Sequence, residues 1–476
     1  MSDQASRTNA EAEDMGKLEE MIWPDSWKTL EHGIRSGRYI DPDFARLEHA
    51  KLWSRVWQMA ARLDEVPEPG DHTVYEIGDQ SILVVRVDAD TVKAYHNACP
   101  HRGTALAEGA GTFEKCRIVC PFHGWRWGLD GRNQYVLERQ QFRNGQLRDA
   151  DVALREVELQ IFAGFIFINF DPNPPPFAEF IAPVRALIED LVIGDMHHYW
   201  WKSVVVPANW KVALEAFLEG YHVPATHPQL EVHSAAFIYG DDVSGEPPQY
   251  AHVDHLYETF PNGHGRFLGG QKTPMAGHTR SVGDPVDAMA DRLNLLAEGM
   301  NAMVLAADVA LVRSLKGQPI PEGSTLGGEY VRTLYATAAA QSRPMPKLER
   351  RLLDQWGGEI FVFPNLMILP QAGNCMIYRV RPDGFDPDSC IFEIYSTRTL
   401  PSAQTPERAI VQRMTDAKDP AQFLRIPRQD FSNIPRIQKG LHTRGCKQIW
   451  LADYFEMMIL NLHQEMDRYL LSGRDM

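Results

Sequence analysis

Long apolar runs are missing from this sequence of 476 residues, and cysteine is scarce. The best candidate for a membrane span, Leu159 to Phe170, is too short and contains Gln160 and Asn169. The N-terminal stretch is polar and acidic, unlike a secretory signal. The six cysteines do not form the dense pattern of a disulfide framework. We therefore expect a protein of the reducing cytoplasm that neither spans a membrane nor is secreted.

Basic residues are also fewer than acidic ones, with 48 lysines and arginines against 63 aspartates and glutamates. The formal net charge of −15 argues against nucleic acid as a partner. With 44% apolar residues the chain can bury full cores, and its length suggests two or three domains.

Local patterns divide the chain into three parts. Residues 41–59 carry apolar side chains at helical spacing behind a capping aspartate. From residue 70 to 170, short β-branched runs alternate with turns, including a hairpin signal at Gly78-Asp79. Three prolines at 174–176 then mark a linker. We predict an N-terminal extension and helix over residues 1–44, which packs on the third part, a small β domain over residues 45–170, and a larger domain over residues 171–476.

The larger domain mixes helices with strands, so the predicted fold class is α+β. Residues 231–345 are rich in glycine, proline, aspartate and histidine, and their pattern is hard to assign to helix or strand. Strands, mostly of one antiparallel sheet, are predicted over residues 197–207, 359–370, 375–384 and 390–400. Helices are predicted over residues 209–222 and 449–471.

Two Cys/His pairs lie in the β domain. The first is Cys99-Pro-His101-Arg-Gly and the second is Cys120-Pro-Phe-His123-Gly-Trp. Two thiolates can hold one iron of a [2Fe–2S] cluster and two imidazoles the other, which is the Rieske arrangement of raised reduction potential. The unequal spacings within the pairs match that pattern and do not match a zinc finger.

A second metal site is suggested downstream. His222 and His227 are five residues apart and flank Pro224, which breaks the helix, so both side chains can converge on one metal. A carboxylate would complete a 2-His-1-carboxylate triad on non-haem Fe(II), with positions open for O₂. Alone, this histidine spacing is a weak signal for a metal site. It becomes strong beside a Rieske motif, because a Rieske cluster only transfers electrons and another centre must react with the substrate.

With these motifs the chain resembles the α (terminal oxygenase) subunit of Rieske non-haem iron oxygenases, the aromatic-ring-hydroxylating dioxygenase family. The resemblance covers residue 45 to the C-terminus and implies a Rieske β domain and a helix-grip (START-like) catalytic domain. It implies Asp430 as third iron ligand, because Gln438-Lys-Gly-Leu follows at the family's spacing. The competing acids are Asp416, Asp419 and Asp453, and Asp430 as a helix cap is the alternative.

The resemblance also assigns a role to Glu219. In the family a carboxylate just before the first histidine ligand links the catalytic iron to a Rieske histidine of a neighbouring subunit. That residue is usually Asp, and members that oxidise quaternary amines have Glu. A solvated helix residue is the alternative interpretation of Glu219.

The implied activity is that of a terminal oxygenase using O₂. Electrons would come from NAD(P)H through a separate reductase, with or without a ferredoxin, since no G-x-G-x-x-G motif occurs here. We expect hydroxylation of an aromatic or other hydrophobic ring compound by a homotrimer, with or without a β subunit. N- or O-demethylation or quaternary-amine monooxygenation is the second hypothesis. A Rieske electron carrier and a zinc hydrolase at His222 and His227 are hypotheses of other classes.

Several residues near these motifs have open roles. Four apolar residues could line a pocket but are interpreted as core: Phe361, Phe363, Met367 and Leu369. Glu215 is predicted to form an i,i+4 salt bridge with Lys211. Tyr221 is predicted to be buried in the core, with a place on the route between the metals as the alternative. Asn209 matches a family asparagine near the iron, and a helix cap explains it equally well.

Overall fold

A computed structural model describes residues 23–230, 255–268, 283–353 and 356–472. Predictions for the first twenty residues, and part of the 231–345 region, lie outside these ranges. Across them, no helix is long and apolar enough to cross a bilayer. Helices and largely antiparallel sheets are mixed, which confirms the α+β class. The division at residues 45 and 171 stays a prediction.

A seven-stranded antiparallel sheet forms the scaffold of the β region. The predicted hairpin is confirmed, since Ile77 pairs with Gln80 across Gly78-Asp79. A second hairpin turns at Ala163 and Gly164, both with positive φ, as a two-residue hairpin turn demands. In sheet order the strands are Gln58–Arg62, Phe165–Asn169, Glu156–Phe162, Val92–His96, Gln80–Arg86, Asp71–Ile77 and Gly111–Thr112.

A small three-stranded sheet of Arg117–Val119, Arg126–Gly128 and Asn133–Tyr135 lies beside the Cys/His pairs. The second Cys/His pair occupies the loop between its first two strands. The first pair follows strand Val92–His96 of the larger sheet. The two pairs are therefore carried by loops from two different sheets.

The larger region is built on an eight-stranded sheet. All neighbours are antiparallel except the last pair, where Lys202 lies opposite Gln412 in parallel. The segment predicted as one strand from residue 359 forms two, which separate at Phe363-Pro364. The strands in sheet order are Leu256–Thr259, Gly265–Leu268, Glu359–Val362, Leu366–Gln371, Asn374–Pro382, Cys390–Thr399, Met196–Val206 and Gln412–Arg413.

Helices pack around this sheet. Asp41 caps the predicted N-terminal helix through the Asp43 N–H, but the α-helix ends at Glu48, continues as a π-turn to Trp53, and gives way to a strand at Gln58. The prediction of helix up to residue 59 is therefore wrong at its end. The longer helices are Phe177–Ile188, Pro285–Met300, Ala306–Arg313, Leu326–Ala340, Arg425–Leu441 and Met457–Leu470, and Trp210–Glu215 is a short one.

The short helix Trp210–Glu215 is fully buried, and this changes its expected contacts. Asn209 caps it by accepting the Lys211 N–H at 3.1 Å, as predicted. Lys211 pairs with Glu48 at 2.6 Å instead of Glu215, so the predicted i,i+4 salt bridge is wrong. Glu215 instead accepts a hydrogen bond from the Tyr39 hydroxyl at 3.0 Å. The N-terminal segment is thereby tied to the helix that precedes the His222 turn.

Candidate metal centres

The two loops with the Cys/His pairs share one backbone hydrogen-bond pattern. The N–H of Cys99 donates to the carbonyl of Thr104 at 2.8 Å, and that of Cys120 to the carbonyl of Trp125 at 2.9 Å. The glycine four residues after each cysteine donates back to the cysteine carbonyl, at 2.8 and 3.0 Å. Those glycines have φ of 76° and 68°, a region that other residues adopt at a cost in free energy. The pair of turns thus presents two equivalent cysteine-to-histidine loops.

The four predicted cluster ligands converge. Cys99 and Cys120 are buried and their thiols contact each other, while His101 and His123 are half-buried with their Nδ1 atoms 3.1 Å apart. Burial raises the pKa of the Cys99 thiol to about 11, although N–H groups of the loop bond to its sulfur and act in the opposite direction. Such a thiol becomes a thiolate only against a cation, which fits metal ligation. Two inner sulfurs and two outer imidazoles fit a Rieske cluster.

Aromatic side chains hold the first imidazole in place. The ring of His101 stacks on Trp125 at 4.8 Å and 10°, and Phe142 contacts both rings edge-on. Burial lowers the pKa of His101, and the charge of His123 acts in the same direction. The neutral imidazole that a metal requires is therefore favoured. Phe142 lies outside both motifs, and no sequence signal pointed to it.

Cys116 is the competing candidate for the second thiol ligand, because it is only four residues from Cys120. Its side chain is exposed, whereas Cys99 and Cys120 are buried and contact each other. Cys116→Ala is expected to keep the visible absorption of the cluster, and Cys120→Ala to abolish it. Loss of the spectrum in Cys116→Ala would show that the wrong thiol was chosen.

The second site brings three predicted ligands together. Oδ1 of Asp430 lies 3.0 Å from Nε2 of His227 and 3.7 Å from Nε2 of His222. One ligand atom from each of these residues lies within 4.8 Å of the other two. His222 and His227 flank the one-turn helix Val223–Thr226, whereas Asp430 comes from helix Arg425–Leu441. The competing acid Asp453 pairs instead with His32, at 2.7 Å.

Both imidazoles are oriented by a bond to their other ring nitrogen. Glu219 accepts from Nδ1 of His222 at 2.7 Å and from its backbone N–H at 2.8 Å. Gln429 accepts from Nδ1 of His227 at 3.0 Å and is itself held by paired amide bonds to Gln229, at 2.8 and 3.1 Å. With the proton on Nδ1, each Nε2 keeps its lone pair free for a metal, and both Nε2 atoms are directed at Asp430. Such outer contacts fix ring orientation and raise ligand basicity.

The charge of Glu219 acts on the same imidazole. Burial alone would lower the pKa of His222, but the charge and hydrogen bond of Glu219 outweigh it, so that the pKa is raised. The interpretation of Glu219 as a solvated residue is wrong, since it is 8% exposed. Two neutral nitrogens and one carboxylate oxygen on one side, with no fourth protein ligand among the described residues, fit a facial site for Fe(II).

Aromatic rings lie beside this centre. Phe217 packs on Tyr378 at 4.5 Å and on Phe392 at 5.3 Å, and Phe392 packs edge-on against Phe431, next to Asp430. The four residues interpreted as core are buried, in agreement with that interpretation: Phe361, Phe363, Met367 and Leu369.

Two residues near the motifs behave differently from expectation. Tyr221 is 55% exposed and stacks on Phe455 at 5.8 Å, so its predicted burial is wrong. Gln438, part of the motif that pointed to Asp430, does not face the metal ligands. Its side chain accepts from the Asn209 N–H at 3.1 Å and donates to the Tyr39 carbonyl at 3.2 Å, which fixes the start of the buried helix.

Comparisons with known proteins match both regions of the chain to described families. A model described as Rieske [2Fe-2S] domain matches residues 56–148, and one described as ring hydroxylating alpha subunit (catalytic domain) matches residues 193–295 and 314–472. The glycine betaine monooxygenase oxygenase subunit of Chromohalobacter salexigens is 30% identical over 205 residues, 42% of this chain and 44% of that protein. The chain spans about half the length of the curated relatives it matches.

Two solved structures are similar over nearly the whole chain. A quaternary ammonium Rieske monooxygenase, described with carnitine oxidation by gut microbiota and inter-subunit electron transfer, has TM-score 0.60 and 17% identity over 93% of this chain and 96% of its own. Naphthalene 1,2-dioxygenase from Rhodococcus sp., bound to indole, has TM-score 0.60 and 16% identity over 98% of each chain. At these identities the likeness concerns the fold.

Proposed function

The chain belongs to the Rieske oxygenases with a ring-hydroxylating α-subunit catalytic domain, and we propose that it is the terminal oxygenase of a multicomponent system. Cys99, His101, Cys120 and His123 would hold the [2Fe–2S] cluster. A mononuclear iron would be held by His222, His227 and Asp430. When bound, the cluster supplies single electrons and the iron supplies the activation of O₂.

The observation that carries this proposal is the convergence at Asp430. Both imidazoles turn Nε2 towards its carboxylate, and both are held so by partners outside the ligand set. Two histidines without a metal-binding role would not require hydrogen bonds from Glu219 and Gln429 that fix the orientation of both rings. The electron-carrier hypothesis gives these residues no task, and a zinc hydrolase gives the Rieske cysteines none.

The proposal includes partners and assembly. His101 and His123 are half-buried and Phe122 beside them is 56% exposed, so this face is open to an electron donor or a second subunit. We propose a reductase, with or without a ferredoxin, as source of electrons from NAD(P)H. We also propose a head-to-tail homotrimer, with or without a β subunit, in a reducing cytoplasm.

Two substrate classes are consistent with the family. The solved structures include an enzyme bound to indole and one described with carnitine oxidation, and the curated relatives act on glycine betaine and carnitine by name. A hydrophobic ring fits the aromatic rings near the iron site, whereas a quaternary amine agrees with the glutamate at position 219.

Iron content and oxygen uptake test the oxygenase proposal together. After anaerobic reconstitution we expect about three irons per chain, two in the cluster and one mononuclear. With a surrogate reductase, a panel of aromatic, terpenoid and quaternary-amine compounds should contain one that stimulates O₂ uptake. About two irons per chain would refute the oxygenase and leave an electron carrier.

A further inference from the structure

One carboxyl oxygen beside the metal centre, Oε2 of Glu359, has no hydrogen-bond partner among the described residues. Glu359 begins strand Glu359–Val362, and its Oε2 atom is fully buried with no hydrogen-bond partner. In the described ranges, no lysine, arginine or histidine forms an ion pair with it. A buried carboxyl oxygen without a hydrogen-bond partner costs free energy. The residues around Glu359 therefore indicate which kind of ligand its carboxyl binds.

The strand register places Glu359 on the face of the sheet that faces the metal centre. Phe267 lies opposite Glu359, and Tyr257 lies opposite Phe267, so all three side chains share one face. The hydroxyl of Tyr257 accepts the Gly220 N–H at 3.1 Å, beside Glu219. This row of side chains thus runs from Glu359 to the turn that carries the first histidine.

A second line of neighbours leads to the same place. Phe361 is two residues from Glu359 and shares its face, and Met367 and Tyr378 follow across the next two strands. Tyr378 packs on Phe217, one of the rings near the centre. Glu359, Phe361 and Tyr378 therefore lie on one face of the sheet, with Phe217 packed against it.

The charges that act on Glu359 most strongly among the described residues are negative. Burial raises the pKa of Glu359 well above its ordinary value, and the carboxylates of Glu219 and Asp430 raise it further. Fe(II) with the carboxylates of Asp430 and Glu219 has no net charge, because two negative charges meet two positive ones. These effects favour the protonated, neutral carboxyl while no positive charge is near. A neutral ring compound would leave Glu359 protonated, whereas a substrate with one positive charge would favour its ionised form and pair with it.

We propose that Glu359 is the specificity-determining anchor for a substrate with a fixed positive charge, a quaternary ammonium compound, whose methyl groups contact Tyr378 and Phe217. The assignment rests on the proposed oxygenase centre and names its substrate class. Aromatic faces attract such cations, and the attraction increases where water is excluded. Glu359 holds the ammonium group while the rest of the molecule extends towards the open side of the three ligands.

The test is a binding measurement that needs no turnover. Choline and its neutral carbon isostere, 3,3-dimethylbutan-1-ol, are titrated calorimetrically into iron-loaded, anaerobic protein. We expect the wild type to bind choline at least about tenfold more tightly than the isostere. Glu359→Gln, which keeps the shape of the side chain, should lose about 10- to 100-fold in choline affinity and leave the isostere unchanged.

Glu258→Gln is the matched control. Glu258 follows Tyr257 in the same strand, so its side chain lies on the opposite face of the sheet. There it pairs with Arg266. We expect this variant to bind choline like the wild type. The proposal is overturned if the wild type binds both compounds equally or binds no choline, or if Glu359→Gln keeps the wild-type affinity. Oxygen uptake stimulated only by ring compounds would overturn it too, while leaving the oxygenase proposal intact.

Discussion

Asp430→Ala is expected to remove the mononuclear iron and to lower substrate-dependent oxygen uptake by more than about 100-fold, because loss of an outer contact alone costs about 10- to 100-fold. The carboxylate is buried and is the only acidic group that meets both imidazoles among the described residues. The two nitrogens that remain would bind Fe(II) weakly. Iron per chain should fall from about three to about two, with the visible spectrum of the cluster unchanged.

Asp453→Ala is the matched control for this experiment. Asp453 was a competitor for the same role, but it lies at the surface and pairs with His32. Its removal should leave both iron content and oxygen uptake as in the wild type. Retention of the third iron in Asp430→Ala, or its loss in Asp453→Ala, would contradict the assignment of the ligand.

Glu219→Gln is expected to keep both metal sites and to lower coupled turnover by about 10- to 100-fold even at saturating iron. The carboxylate accepts two bonds from His222, at 2.7 and 2.8 Å, and supplies the charge that acts on its imidazole. A glutamine has one acceptor oxygen and no charge, so one bond and the electrostatic effect are lost. The proposed contact with the Rieske histidine of a neighbouring subunit would weaken as well.

Gln429→Ala separates the effect of ring orientation from the proposed contact between Glu219 and a Rieske histidine of the neighbouring subunit. Gln429 makes the equivalent bond to His227, at 3.0 Å, and has no proposed contact with another subunit. This variant should bind iron more weakly and recover its turnover when iron is in excess. The readout is product formed per NAD(P)H oxidised, at limiting and at saturating iron. Full coupled activity in Glu219→Gln, or identical behaviour of the two variants, would refute the bridging role.

Ligands that are close in the chain were accessible from sequence. The cysteine and histidine of each cluster loop lie within one tight turn, and His222 and His227 flank one helical turn, so spacing alone sets their geometry. Asp430 is over 200 residues further on, and only the family resemblance pointed to it. Its place in helix Arg425–Leu441 and its distance to the histidines needed the structure.

Contacts that depend on packing were missed or mistaken. Gln429 and Gln229 pair across 200 residues and have no motif, so no local rule predicts their support of His227. The expected salt bridge of Lys211 assumed an exposed helix, but burial brings Glu48 to it instead.

The position of Glu359 is of the same kind. Its sequence context indicates only the start of a strand. Its meaning comes from the register that aligns it with Tyr257 and from the lack of a partner for its buried oxygen.

The central claim is that one chain carries both the cluster and the iron site that uses its electrons. A single-turnover experiment tests it most directly. Iron-loaded protein is reduced anaerobically and mixed with O₂ and the panel compound that most stimulates oxygen uptake, without any reductase. We predict that oxygenated product forms as the cluster absorption returns, and that Asp430→Ala forms none. Reoxidation of the cluster without product from any panel compound would contradict the account.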